Sequence, residues 1–179
     1  MVETVPVLWC AECRVTWEEG IEPRCADESH ERQRFEMHKH RTPVDLPDGT
    51  TITCASFHEI GSYERDTTPD FGVYLDHRWQ PPWAHVHVDW PDFGVPASKD
   101  DLLSVLRSAL ERARDGAHVE LGCWGAHGRT GTALACLAVL TGVAPGEAVD
   151  WVRRAYCEGA VETPEQEAFV ATLDVSSGA

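Results

Sequence analysis

The sequence predicts an α/β fold, a central mixed sheet flanked by helices, and three observations carry that expectation. Short runs of β-branched and aromatic residues alternate with longer stretches whose apolar residues recur at helical spacing. One stretch, "TGTALACLAVLTG" at 130–142, is nearly all apolar, as a helix buried at the centre of a domain would be. Just before it, "GCWGAHGRTG" at 122–131 sets four glycines at the junction between a strand-like and a helix-like run.

Taken in order, residues 1–41 carry Cys10, Cys13, Cys25, His30, His38 and His40 in charged surroundings with little hydrophobic periodicity. They form a small N-terminal Cys/His-rich segment, set apart from a globular region at 42–175. "TPVDLPDGTTITCASF" reads as a hairpin around the Pro47-Asp48-Gly49 turn. "ERDTTPDFG" is a loop, and "FGVYLD" and "AHVHVDW" are short strands, the second alternating Val86, Val88 and Trp90 against His85, His87 and Asp89. After the loop "PDFGVPA" comes the clearest helix, "SKDDLLSVLRSALERARDG". Ser98 is its N-cap, Leu102, Val105, Leu106, Ala109 and Leu110 line one face, and Gly116 stops it. The strand "AHVEL" leads into the glycine-rich stretch and the apolar helix, entered at about Arg129. "PGEAVDWVRRAYC" and "TPEQEAFVATL" are two further helices with Pro near the first position, and "VSSGA" is a frayed tail.

Bulk composition narrows the function. The chain has 179 residues, 42% of them apolar, enough for one domain with a real core. A net charge of -15, with two lysines beside thirteen arginines, argues against nonspecific binding to nucleic acid or an anionic membrane. No apolar span reaches membrane-crossing length, and "MVETVPVLWC" lacks the basic start of a secretion signal, so the expected location is cytoplasmic. Seven cysteines, an odd number, then read as thiols, metal ligands or a nucleophile before they read as disulfides.

Glycines leave backbone amides uncovered, and successive amides converging on a helix N-terminus make an anion cradle. Arg129 ends that loop with a planar fork suited to two oxygens of one phosphate. Cys123 begins it, and a thiol at the focus of such a field is expected to ionise well below its free pKa of about 8.5. Thr130 can offer a hydroxyl to the sulfur. The chemistry indicated is phosphoryl transfer to Cys123.

Cys123, five residues, Arg129 and Thr130 resemble the C-x5-R-(S/T) signature of the protein tyrosine phosphatase superfamily. "WPDFGVP" at 90–96 resembles the family's mobile acid loop, with Asp92 lying 31 residues before Cys123 as in compact members. "TPEQEAFV" resembles the glutamine loop of the tyrosine-specific members. The matches span about 90–170 and imply a phosphatase-like fold with the phosphate-binding loop between a strand and a buried helix. They also imply a mechanism. Cys123 attacks phosphorus while Arg129 and the amides of Trp124, Gly125, Ala126, His127, Gly128 and Arg129 hold the equatorial oxygens. Asp92 protonates the leaving group, then takes a proton from water placed by Gln166, and Thr130 steadies the departing thiolate. No cofactor is required. The expected substrates are phosphorylated proteins or small phosphate monoesters. Trp124 and His127 supply none of the extra cations of a phosphoinositide 3-phosphatase, which favours phosphotyrosine or another aryl or small phosphate. The sequence departs from the family at Gly122, where a histidine usually orders the loop and lowers the thiol pKa. A catalytically weak pseudophosphatase that captures phosphorylated ligands is the alternative.

Other residues have two readings each. Thr163-Pro-Glu-Gln166 is also a capping box, in which Gln166 bonds back to the N-cap amide instead of facing water. His85 and His87 share a strand face as polar positions or metal ligands, and Cys54 or Cys157 could resolve an oxidised Cys123. Cys10-x2-Cys13, with Cys25 and His30 further on, has the spacing of a tetrahedral Cys3His structural zinc site, His38 and His40 competing with His30 for the fourth position. Without metal the same residues are reduced thiols on a mobile arm.

Overall fold

In the computed structural model, residues 4–10, 12–13, 15–20, 25, 27–38, 40–57 and 65–175 are described. Two sheets organise them. Strands β1 (Thr4–Cys10), β2 (Val15–Glu18) and β3 (Arg32–His38) form an antiparallel sheet in the order β2-β1-β3. Strands β4 (Arg41–Asp45), β5 (Thr51–Ser56), β6 (Phe71–Tyr74), β7 (His85–His87) and β8 (Val119–Cys123) form a mixed sheet in the order β4-β5-β8-β6-β7. Only β4 and β5 pair antiparallel, through the expected hairpin, in which Gly49 adopts φ 84°. The first sheet is a finding the sequence did not announce. Its strands alternate weakly because charged and cysteine residues occupy positions that apolar residues take in a larger sheet.

β8 is the central strand, fully buried, flanked by β5 and β6 in parallel. Four α-helices follow the predicted order: α1 (Lys99–Arg114), α2 (Gly128–Leu140), α3 (Ala148–Ala155) and α4 (Pro164–Ala171). α1 begins as read, with Ser98 Oγ accepting from the Asp101 amide at 3.2 Å. It ends with the Gly116 amide bonded to Ala113 O and the Ala117 amide to Arg112 O, both at 3.0 Å, and Gly116 at φ 92°. That paired arrangement is a Schellman stop. α2 is buried from Gly128 to Val139 and packs against α1, α3 and α4, which is why its sequence is apolar on every side. The main core gathers Leu102, Leu106, Leu121, Leu134 and Leu137 between sheet and helices. No described helix is long and apolar enough to cross a membrane. Of the frayed tail, residues 176–179 lie outside the described residues.

Candidate active site

The site begins where the central strand runs out. β8 delivers Cys123 to the sheet edge, the chain turns through residues 124–127, and α2 starts at Gly128. The Thr130 hydroxyl donates to Cys123 Sγ at 3.0 Å. Around the thiol lies a pocket lined by Cys123, Trp124, Gly125, His127, Gly128 and Arg129 from this loop, by Asp92 and Phe93 from the acid loop, and by Glu162. Ala126 does not line it. It is fully buried at φ 57°, and its carbonyl accepts from the Tyr156 hydroxyl at 2.8 Å. Phe93 and Val161 are also left-handed, at φ 58° and 62°, so three strained residues lie within or next to the segments lining one pocket.

Arg129 is 5% exposed and held from several sides. Its Nη1 donates to Leu75 O at 2.9 Å, and its Nη2 lies 3.1 Å from both Asp76 Oδ2 and Asp92 Oδ1. Its Nε is buried and has no hydrogen-bond partner among the described residues. A buried guanidinium N–H left unmatched in a pocket is a donor waiting for an acceptor. Asp76, which sequence reasoning missed, orients this fork. Burial pushes its carboxyl upward, but Arg78 and Arg129 outweigh that and hold it below the usual carboxylate range.

The expected depression of the Cys123 pKa is not what this geometry gives. Burial drives the thiol upward, against the downward pull of Arg129 and of the Thr130 hydroxyl, and the Asp92 carboxylate adds to the rise. Arg129 is shared between two carboxylates, so little of its charge is left for the sulfur. Gly122 also has a spatial reason. A Cβ there would lie 2.5 Å from Ala55 O and 3.1 Å from the Phe57 ring, so the family histidine has no room.

Gln166 is fully buried but does not line the pocket. Its Nε2 donates to Gly94 O at 3.0 Å and its Oε1 accepts from the Glu162 amide at 2.9 Å. The expectation that it faces the attacking water does not match this placement. The capping reading is nearer, displaced by one residue, since Thr163 Oγ1 accepts from the Gln166 amide at 3.2 Å. What reaches the pocket is Glu162, which no motif flagged. The residue as a whole is exposed, yet its carboxylate lies against Gly128, where a Cβ would meet Oε2 at 2.2 Å. Burial and the nearby Asp92 push the Glu162 carboxyl up to about 7, against the Gly128 amide and Arg129. The signal was Gly128 itself, a glycine demanded by a side chain arriving from elsewhere in the chain.

The remaining candidates sort cleanly. In the N-terminal segment His30 Nδ1 lies 3.7 Å from Cys10 Sγ, 3.3 Å from Cys13 Sγ and 3.5 Å from Cys25 Sγ, with Cys13 and Cys25 sulfurs 3.5 Å apart. His40 is elsewhere, beside His127, and the side chain of His38 lies outside those described. His85 and His87 bond the carbonyls of Trp83 and Trp79, at 2.8 and 2.7 Å, as polar strand positions. Val7 of β1 joins Phe57, Tyr74, Trp79 and Trp124 in a small apolar cluster, so the first sheet touches the residue that follows Cys123.

No protein-family model matches the chain. Two uncharacterised proteins of Methanocaldococcus jannaschii, MJECL20 and MJ0215, are 37% identical over 109 residues and 35% identical over 129 residues. The first match covers 55% of this chain and 71% of the relative, the second 65% and 77%. Among solved structures, Tk-PTP in its active form is 30% identical with a TM-score of 0.58, covering 71% of this chain and 92% of that one. Kinase associated phosphatase, at 14% identity and a TM-score of 0.61, covers 74% of this chain and 92% of its own. Human DUSP28, at 15% and 0.56–0.55 in two structures' range, shares the fold as well. The chain belongs to the protein tyrosine phosphatase superfamily.

Proposed function

We propose that the protein is a cysteine-dependent phosphatase that hydrolyses phosphotyrosine-type or other small phosphate monoesters through a cysteinyl-phosphate. The observation that carries this reading is the buried, unmatched Nε of Arg129 beside Cys123, whose sulfur is already held by Thr130. The thiolate of Cys123 attacks phosphorus, and the bond to the leaving oxygen breaks as Asp92 gives that oxygen its proton. Arg129 and the amides of residues 124–129 hold the three equatorial oxygens. Water then attacks the cysteinyl-phosphate and gives its proton to a carboxylate, releasing inorganic phosphate and the Cys123 thiolate, to which Thr130 again donates. Glu162 is the group assigned to that water, with a carboxyl near neutrality in the pocket. Gln166 positions it from behind, through the Glu162 amide, and holds the acid loop through Gly94.

The N-terminal Cys/His segment is read as a zinc-held sheet. Four donors separated by 3.3–3.7 Å match the edges of a tetrahedral site with sulfur at about 2.3 Å and nitrogen at about 2.0 Å from the ion. Zinc there supplies folding energy and takes no part in hydrolysis. A binding-only role is the second reading, favoured by the raised Cys123 thiol.

Hydrolysis of an aryl phosphate by wild type, Cys123→Ser and Asp92→Ala separates the two. The enzyme reading expects loss of turnover in Cys123→Ser and a fall in kcat of about 100-fold or more in Asp92→Ala. Wild type no faster than Cys123→Ser leaves the binding role, and full kcat in Asp92→Ala removes Asp92 as the acid.

A further inference from the structure

The pocket is not the only place where reactive side chains converge. His40 lies between β3 and β4, His127 caps the start of α2 from within the glycine-rich loop, and Cys157 follows α3. All three are buried, at 7%, 8% and 8% exposure. His40 Nε2 and His127 Nε2 stand 3.1 Å apart, and these atoms and Cys157 Sγ all lie within 4.8 Å of one another. The two rings meet edge to face at 77°, so their nitrogens converge and their faces do not stack. We propose that His40, His127 and Cys157 form a second metal site, for a thiophilic divalent ion of the zinc class, that fastens the phosphate-binding loop to the chain on either side of it.

Geometry and chemistry both fit. A tetrahedral ion bound at about 2.05 Å holds two imidazole nitrogens roughly 3.3 Å apart, a few tenths of an ångström from the observed spacing. Two imidazoles and a thiolate select zinc, cobalt or copper over magnesium or calcium, which take oxygen donors. Three protein donors leave a fourth position for water. Binding replaces the Cys157 proton with a sulfur–metal bond and releases that proton to solvent. The backbone at each donor is fixed in advance. Ser56 N donates to His40 O at 2.8 Å, Gly131 N to His127 O at 2.8 Å, and Ala160 N to Cys157 O at 2.9 Å. On the far side the His40 ring packs against Tyr156, with centroids 4.7 Å apart. Because His127 also lines the pocket, an occupied site fixes one wall of the cradle. The Cys10/Cys13/Cys25/His30 cluster shares no ligand with this one, so the two can be counted separately.

The experiment is a cobalt(II) titration of the full-length, metal-stripped protein, read by thiolate-to-cobalt charge-transfer absorption and checked by metal analysis after zinc reconstitution. Wild type is expected to bind two equivalents. Cys13→Ser abolishes the one with three thiolates, while Cys157→Ala and His40→Gln each weaken the other by at least about 100-fold. The wild type alone gives a second readout, since one ion should show about a third of the charge-transfer intensity of the other, in proportion to one thiolate against three. A wild type that takes up only the equivalent lost in Cys13→Ser overturns the proposal and leaves a plain histidine–histidine hydrogen bond. A second equivalent that survives both Cys157→Ala and His40→Gln, or that carries three-thiolate intensity, overturns it too.

Discussion

Restoring the family histidine at position 122 is expected to harm this protein. Ala55 is the register partner of Gly122 across β5 and β8, at the middle of the mixed sheet. A Cβ at 122 would come within 2.5 Å of the Ala55 carbonyl oxygen, where even a close carbon–oxygen contact needs about 3.3 Å. The obstacle is backbone in a paired strand, so relief requires the two central strands to part. Overpacking of this kind costs about 1–3 kcal/mol, offset by about 0.4–1 kcal/mol from the stiffer unfolded chain of the alanine variant. Taking the upper end for a backbone clash leaves roughly 2 kcal/mol for Gly122→Ala, or about 4–8 °C in Tm for a chain of this size. Thermal unfolding by circular dichroism at fixed zinc measures it. The Phe57 ring, 3.1 Å from the same point, makes Gly122→His worse, with no gain in kcat/KM on an aryl phosphate. A Gly122→Ala variant melting within about 1 °C of wild type refutes the reasoning, because overlap of that size with fixed backbone cannot be free.

Three other outcomes are expected. Asp92→Asn removes a carboxylate that raises the Cys123 thiol, so the pH midpoint of Cys123 alkylation by iodoacetamide should fall; a midpoint that stays or rises contradicts the assigned field. Glu162, with its carboxyl pushed up to about 7, is protonated below that pH and a base above it. The rate of cysteinyl-phosphate breakdown should therefore climb through about pH 7, and Glu162→Gln should lose that limb and about 100-fold in steady-state rate while keeping a burst of released phenol. A Glu162→Gln variant with an unchanged pH profile returns the water to Asp92. Chelation of the N-terminal cluster, or Cys10→Ser, should make residues 1–41 sensitive to limited proteolysis while 42–175 stays resistant; equal resistance with and without metal denies zinc a structural part.

The fold was legible wherever local signals agreed. The Asp48-Gly49 turn, the Ser98 cap, the Gly116 stop and the apolar helix are each written in neighbouring residues, and each stands where the sequence put it. Cys123, Arg129, Thr130 and Asp92 come together because a strand, a glycine-rich turn and an acid loop have recognisable local chemistry. What stayed hidden depends on contacts between distant segments. Asp76 looks like the polar end of a strand until Arg129 arrives from 53 positions further along. Glu162 looks like a surface glutamate beside a capping residue, and Gln166 drew the functional reading because its motif was familiar. The first sheet escaped notice because its cysteines face one another across a cluster, and a metal-type cluster needs no hydrophobic period to specify it.

The raised Cys123 thiol and the Asp92–Arg129 contact are two sides of one electrostatic arrangement. With Asp76 and Asp92 both 3.1 Å from Arg129 Nη2, the guanidinium carries two carboxylates, and the thiol beside it gains little. Asp76 is 5% exposed and pinned by Arg78 as well, so it stays. Asp92 is the partner that can leave, since its side chain is 24% exposed on a loop. On the proposed reading, a phosphate dianion entering the pocket competes for the same fork and offers two oxygens where Asp92 offers one. Displaced from Arg129, Asp92 no longer has a cation favouring its ionised form, and the same displacement lets it take the proton the leaving group needs. The substrate's own charge would then prepare the acid. Asp76→Asn tests the idea directly. With one carboxylate gone, Arg129 should hold Asp92 more tightly, so KM for an aryl phosphate should rise and the acidic-side inflection of kcat/KM, which reports free-enzyme groups, should move to lower pH. A variant with wild-type KM and an unmoved inflection would mean that Asp92 does not compete with substrate for Arg129.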